Sequence, residues 1–124
     1  IRALVRSRGL GDVYKRQREQ AAICGALVAA RCHNIPVIID GFIASSAIAP
    51  LVSVDRIYDH VIFAHQSAEA GHSRLISKLG KVPMFDLGMR LGEGSGAALA
   101  LSIIRASLAC HNGMATFAEA GIGE

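Results

Sequence analysis

The sequence is poor in cysteine, and its cysteines are not arranged as metal or disulfide sites. There are three among 124 residues, Cys24, Cys32 and Cys110, so a disulfide framework would leave one unpaired. None belongs to a Cys-x-x-Cys pair of the kind that structural zinc sites use, and they lie in predicted helices or, for Cys32, directly after one. We therefore expect buried thiols in a reducing compartment and no bound metal.

Several ligand-binding and targeting motifs are also missing. The chain has no G-x-x-x-x-G-K-[ST] phosphate loop, and Gly92, Gly94 and Gly96 do not have the spacing of the dinucleotide fingerprint. No uninterrupted apolar run reaches the length of a membrane span, and no segment has the pattern of a signal peptide. These absences argue against a P-loop nucleotidase, a dinucleotide-dependent enzyme and a membrane protein.

Aromatic residues are scarce, whereas aliphatic residues are abundant. Aromatic residues make up 5% of the chain, with no tryptophan, while hydrophobic residues reach 52%. This hydrophobic content is high for a free-standing domain of this size. The segment 97–104 is apolar almost all round, as expected of a helix buried on several sides. We therefore expect the chain to be the C-terminal part of a larger domain, or an obligate partner in an oligomer.

The first 17 residues differ from the rest in charge. They hold five of the 13 basic residues and one of the 10 acidic residues, so that without them the formal charge falls from +3 to −1. No helical or strand period continues from them into Arg18, and the segment 9–17 resembles a translated sequencing-adapter scar. The alternatives are a basic nucleic-acid-binding arm and a transit peptide, but interleaved aromatics and a clear amphipathic face are lacking. We predict a non-native leader at 1–17 and a domain segment at 18–124.

Strand and helix patterns alternate along residues 18–124. The sequence predicts a helix over 20–31, strands at 35–39, 61–64 and 82–87, and helices over 43–52, up to 79, and over 97–110. Such alternation is typical of an α/β fold in which a parallel sheet is connected by helical crossovers.

Each predicted strand ends in a loop that is polar or rich in glycine. Ligands of open parallel sheets bind outside the carboxyl ends of the strands, so we expect the polar side chains of these loops to converge there. This set comprises Asp40, Ser45, His65, Ser67, Glu69, Arg90 and Glu93. The convergence predicts a ligand site but does not name a reaction, because this fold class supports many.

Glu93 is the most informative residue of these loops. It stands between Gly92 and Gly94, where the third predicted strand passes into a helix. Glycines allow backbone N–H groups to approach a ligand, and a helix N-terminus favours an anion. A carboxylate in this position could accept a proton from a bound substrate, or it could only complement the helix dipole. The residues alone leave both interpretations open.

Four segments together resemble one enzyme family over residues 18–124. They are IPVIIDGF at 35–42, HQSAEAGH at 65–72, LGMRLGEGSGAALA at 87–100 and MATF at 114–117. In this order and similar spacing they resemble the C-terminal third of the nicotinate-nucleotide–dimethylbenzimidazole phosphoribosyltransferase family. The third segment is the most specific. The resemblance implies a Rossmann-like parallel sheet in a larger three-layer domain, of which residues 18–124 would be the C-terminal part.

The resemblance also implies a function. Enzymes of this family move 5-phosphoribose from nicotinate mononucleotide to 5,6-dimethylbenzimidazole during assembly of the lower ligand of cobalamin. The implied partners are these two small molecules, with no nucleic acid, no membrane, no metal and no cofactor. A cytoplasmic homodimer is implied for the full-length enzyme.

Residue roles follow from the match of individual positions. Glu93 matches the general base, and Ser67 matches a serine that contacts the nucleotide. Leu91 and Gly92 match positions that line the base and nucleotide pocket, and Ala68, next to Ser67, is a further substrate-binding candidate. Three further substrate-binding candidates rest on loop placement alone: Asp40, Ser45 and Arg90. Their alternatives are a strand-end cap, a small helix-packing residue and a salt-bridged surface arginine, respectively.

Other parts of the family pattern lie upstream and are not in this chain. These are a G-x-G-N-T-T loop, a phosphate-binding lysine, a second acidic residue and the residues of the benzimidazole pocket. We therefore expect the 124-residue chain to be inactive by itself. Two other classes remain open, a non-catalytic nucleotide-binding module and a purely structural α/β module.

Overall fold

The computed structural model describes residues 10–122 as a mixed helical and strand structure. The elements in chain order are α1 (Leu10–Cys32), β1 (Val37–Ile39), α2 (Phe42–Ile48), a 3₁₀ helix (Ala49–Ser53), β2 (Val61–Phe63), α3 (His72–Lys78) and α4 (Ser95–Gly113). Strands β1 and β2 pair in parallel, with Val37 opposite Val61 and Ile39 opposite Phe63. The predicted α/β class with parallel strands is confirmed.

The first helix begins earlier than the sequence pattern suggested. Helix α1 starts at Leu10 rather than at Gln20, so the predicted break before Arg18 is wrong at the level of secondary structure. The reason is helix propensity, because Lys, Arg, Gln and Glu form helices readily even without an apolar face. All six residues from 17 to 22 are exposed, so this part of α1 does not pack on the domain. Residues 1–9 lie outside the described residues.

The third predicted strand is reduced to an isolated bridge. His65 pairs in parallel with Phe85, and the N–H of Gln66 donates to the carbonyl of Phe85 at 2.9 Å. Pro83 interrupts a regular ladder because proline has no N–H to donate. The direction of the segment therefore matches the prediction, but the strand is absent from 82–87.

Proline also shortens the second helix. The predicted helix over 43–52 ends at Ile48 and continues as the 3₁₀ helix over Ala49–Ser53. Pro50 stands in the first turn of that 3₁₀ helix, where its missing N–H is tolerated.

One hydrophobic core holds the strands against the helices. Its buried side chains come from α1, both strands, α2, the segment before β2 and α3, and are Leu27, Ile39, Ile48, Ile57, Tyr58, Phe63, Ile76 and Leu79. The Tyr58 hydroxyl donates to the carbonyl of Ile48 at 2.6 Å, so its polar end is satisfied. Burial raises the pKa of Tyr58.

Helix α4 packs differently from the expectation. Only Gly96 and Ala100 are buried, while Leu99, Leu101 and Ile103 are each about 40% exposed. The helix contacts β1 and His65 through its first turns, and its other faces remain open in this chain. Within residues 10–122, every helix is too short or too polar to cross a bilayer.

Candidate functional site

A cavity of about 370 Å³ opens at the carboxyl ends of the strands. It is bordered by the loop after β1, the first turn of α2, the loop after β2, the loop before α4 and one side chain of α1. Its lining comprises Ile23, Asp40, Gly41, Phe42, Ile43, Ala44, His65, Ser67, Glu69, Arg90, Leu91, Gly92, Glu93 and Gly94. Six of the seven polar residues predicted to converge at this edge therefore border one cavity.

Glu93 lies in a turn with an unusual backbone. Gly92, Glu93 and Gly94 have φ values of 78°, 58° and 77°, all in the left-handed region that L-residues rarely adopt. The N–H of Ser95 donates to the carbonyl of Gly92 at 3.1 Å and closes the turn. The carboxylate of Glu93 is exposed at the cavity. A glutamate in this conformation costs about 1 kcal/mol or more, which is consistent with a functional use of its side chain.

Asp40 connects the end of β1 to the start of α4. Its Oδ1 accepts a hydrogen bond from the N–H of Ala97 at 2.8 Å, although the two residues are 57 positions apart. An N-terminal turn of a helix has unpaired N–H groups, and this carboxylate satisfies one of them. The structure therefore gives Asp40 a capping role, close to the alternative considered from the sequence.

His65 lies buried between Asp40 and α4. Its Nε2 is 3.9 Å from Oδ1 of Asp40, and its ring stacks on Phe85 with centroids 6.2 Å apart and planes at 21°. The ring rests on the bare backbone of Gly96, where a Cβ would collide with Cδ2 and Nε2 of the imidazole. Sequence reasoning missed this contact. The available signal was a glycine inside the first turn of an otherwise Ala-rich helix.

Ser67 lies next to a buried pair of polar side chains. The N–H of Ser67 donates to Nδ1 of His72 at 2.8 Å, and Nε2 of His72 is 3.1 Å from Oγ of Ser45. Oγ of Ser67 accepts a bond of 3.4 Å from the N–H of Glu69 and retains its own proton for a ligand. His72 was not among the predicted site residues.

Two predicted substrate-binding residues do not border the cavity. Ser45 is completely buried and bonded to His72, so its hydroxyl is inaccessible to a ligand in this structure. Ala68 is exposed outside the lining, and its N–H donates to the carbonyl of Met89 at 3.0 Å. That bond ties the loop after β2 to the loop that carries Arg90.

Arg90 and Leu91 border the cavity from the loop before α4. Both are exposed, and within the described part of the chain no carboxylate forms an ion pair with Arg90. The alternative of a salt-bridged surface arginine is therefore not observed here. A guanidinium at a cavity mouth can bind a phosphate through two parallel hydrogen bonds.

The described residues also bear on metal binding. Between residues 10 and 122, His, Cys, Asp and Glu side chains do not gather in groups of three or more that could hold an ion. The described cysteines are free thiols, with Cys32 and Cys110 exposed and Cys24 half-buried. The prediction of buried thiols is therefore wrong for Cys32 and Cys110, which lie on open faces of α1 and α4.

Comparison with known proteins gives one consistent result. A family model described as phosphoribosyltransferase matches residues 17–122. The nicotinate-nucleotide–dimethylbenzimidazole phosphoribosyltransferase of Ruegeria sp. (strain TM1040) is 56% identical over 108 residues, which cover 86% of this chain and 32% of the relative. The enzyme of the same name from Brucella anthropi is 58% identical over 106 residues, covering 85% and 31%.

A solved structure agrees with these matches. The crystal structure of the corresponding enzyme from Thermus thermophilus superposes with a TM-score of 0.76 and 34% identity. The superposition covers 86% of this chain and 32% of the other. The chain thus spans about one third of the length of the relatives that it matches.

Proposed function

Because the chain belongs to the nicotinate-nucleotide–dimethylbenzimidazole phosphoribosyltransferase family, we propose that it forms part of an enzyme that moves 5-phosphoribose from nicotinate mononucleotide to 5,6-dimethylbenzimidazole. The products are α-ribazole 5′-phosphate and nicotinate. Glu93 acts as the general base. The observation that carries this proposal is the Glu93 carboxylate, displayed at the mouth of the cavity by a left-handed turn.

The reaction requires one base and correct orientation. One nitrogen of the benzimidazole attacks the anomeric carbon of the ribose, while the proton on its other nitrogen passes to Glu93. The glycosidic C–N bond breaks, and its electron pair leaves with nicotinate, which is a good leaving group because its ring nitrogen is cationic in the nucleotide. The barrier is then lowered mainly by alignment of the two substrates and by proton removal.

The remaining cavity residues fit the binding of a nucleotide. The hydroxyl of Ser67 can donate to a phosphate or ribose oxygen, and the guanidinium of Arg90 can bind a phosphate. Leu91 and Gly92 offer an apolar side chain and an open backbone next to Glu93, where a planar base can lie. In this proposal, residues 18–124 form part of the catalytic domain. Residues 1–17 have no role in it.

A chimeric enzyme allows a direct test. Residues 18–124 replace the matching third of the Ruegeria enzyme, which supplies the remaining two thirds of the protein; this protein is called the chimera below. The variant Glu93→Gln keeps the size of the side chain but removes the base. We expect kcat to fall about 100- to 10,000-fold, while the Kd for nicotinate mononucleotide changes little.

The assay is nicotinate release in the presence of dimethylbenzimidazole, with the parent Ruegeria enzyme as reference. Asp55→Asn is the matched control, because Asp55 is an exposed carboxylate in the segment before β2 and does not line the cavity at the carboxyl ends of the strands, and it should leave kcat unchanged. A Glu93→Gln chimera that turns over at the unsubstituted rate would reject Glu93 as the base. An unsubstituted chimera that binds the nucleotide without turnover would favour the non-catalytic binding module instead.

A further inference from the structure

We propose that His72 is a positioning residue, whose neutral imidazole holds the backbone of Ser67 in place at the cavity. This inference rests on the proposed function only for its kinetic consequences. Its structural basis is a pair of buried hydrogen bonds that occur whatever reaction the cavity supports.

The geometry defines the protonation of the imidazole. An amide N–H can only donate, so the bond of 2.8 Å from the N–H of Ser67 requires Nδ1 of His72 to be unprotonated. The single proton of the neutral ring is then on Nε2, which donates to Oγ of Ser45 at 3.1 Å. His72 is 0% exposed, so water cannot replace either partner.

His72 satisfies a backbone N–H just beyond the paired part of β2. The N–H of Ala64 donates to the carbonyl of Ile39, the last residue of β1. The N–H groups of Gln66 and Ala68 donate to the carbonyls of Phe85 and Met89. Ser67 lies between these two residues, and the acceptor for its N–H is not a backbone carbonyl but Nδ1 of His72.

The surroundings favour the neutral ring. Burial lowers the pKa of His72 below its ordinary value of 6.5, and the nearby His65, whose ring centroid is 6.4 Å away, lowers it further. The carboxylates of Glu69 and Asp40 oppose this effect. A proton on Nδ1 would face the N–H of Ser67 and break the bond. In the folded protein the neutral ring and its bond to Ser67 are lost as pH falls through this lowered pKa, which lies below 6.5.

Loss of the bond should affect substrate binding more than chemistry. Ser67 borders the cavity, and its hydroxyl is a proposed contact to the nucleotide. Glu93 is carried by a different loop with its own closing hydrogen bond. We therefore expect a change at His72 to raise the KM for nicotinate mononucleotide and to leave kcat within about twofold, since the base remains in place.

Two substitutions in the chimera separate a positioning role from a packing role. His72→Leu fills a similar volume but offers no acceptor, and we expect the KM to rise about tenfold, as for one lost buried hydrogen bond. His72→Asn places an amide oxygen near the position of Nδ1, and should restore the KM to within about threefold. As pH falls through the lowered pKa of His72, the KM of the unsubstituted chimera should rise relative to that of the Asn variant, whose amide is not protonated in this range.

A measurement independent of turnover completes the test. Nitrogen NMR of ¹⁵N-histidine in the unsubstituted chimera should show His72 neutral at pH 7, with its proton on Nε2, and hydrogen exchange at the amide of Ser67 should be slow. A proton on Nδ1, or fast exchange at Ser67, would overturn the inference. So would an unchanged KM in the Leu variant. If the chimera has no transferase activity at all, the proposed function fails, and the NMR and exchange results still decide the role of His72.

Discussion

Gly96→Ala is predicted to destabilise the protein, although alanine normally stabilises a helix. The added Cβ would overlap sterically with the imidazole ring of His65. That ring is only 2% exposed and is stacked on Phe85, with Asp40 at its Nε2. The ring is confined on these sides and is open only towards the cavity that it borders, so either the ring must move into the cavity or the first turn of α4 must shift.

The size of the effect follows from two opposing contributions. Overpacking of a tight core costs about 1–3 kcal/mol. Because this ring is confined on several sides, we expect the collision to cost about 3 kcal/mol, at the upper end of that range. Alanine in place of glycine gains at most about 1 kcal/mol of helix propensity. The expected net loss in the free energy of unfolding is about 2 kcal/mol. Because α4 begins directly after the Glu93 turn, nicotinate release should fall as well.

The chain offers a matched control in α1. A Cβ at Gly25 meets no atom of the described residues within 4 Å, so Gly25→Ala should stabilise the protein by up to about 1 kcal/mol. Both variants are compared in the chimera by urea unfolding and by nicotinate release. In a His65→Ala background the collision is removed, and Gly96→Ala should lose its penalty. The reasoning is refuted if Gly96→Ala stabilises as Gly25→Ala does, or if its penalty persists without the His65 ring.

Two further predictions concern the ends of α4 and α1. Asp40→Ala removes the acceptor for the N–H of Ala97 and should lower the free energy of unfolding by about 1 kcal/mol. Asp40→Asn retains an acceptor and should lower it by less. Equal losses of the two variants in urea unfolding would show that the cap does not contribute to stability. Deletion of residues 1–17 should change the stability of the 124-residue chain by less than about 1 kcal/mol, because the adjoining residues 17–22 are all exposed. A larger drop in its unfolding midpoint would show that the leader packs on the domain.

The alternation of strands and helices was sufficient to predict the parallel pairing and the edge at which the cavity lies. Both follow from local patterns and from a general rule of parallel sheets. The third strand was predicted wrongly because Pro83 weakens a ladder that apolar content alone favoured. The bond of Asp40 to Ala97 joins residues 57 positions apart, and the bonds of His72, in α3, connect Ser45 in α2 to Ser67 in the loop after β2. No local period encodes such pairs, since each depends on how separate elements pack.

The cap on α4 has an electrostatic consequence for the cavity. The N-terminus of a helix carries roughly half a positive charge and is a common binding site for a phosphate group. In this protein the carboxylate of Asp40 already binds the N-terminus of α4, with its Oδ1 2.8 Å from the backbone nitrogen of Ala97. An incoming phosphate would meet a neutralised helix end and the repulsion of an internal anion. For the proposed reaction, we therefore expect attraction for the phosphate of the nucleotide to come from cationic side chains such as Arg90, and the first turn of α4 to hold the Glu93 turn in place rather than to bind the substrate.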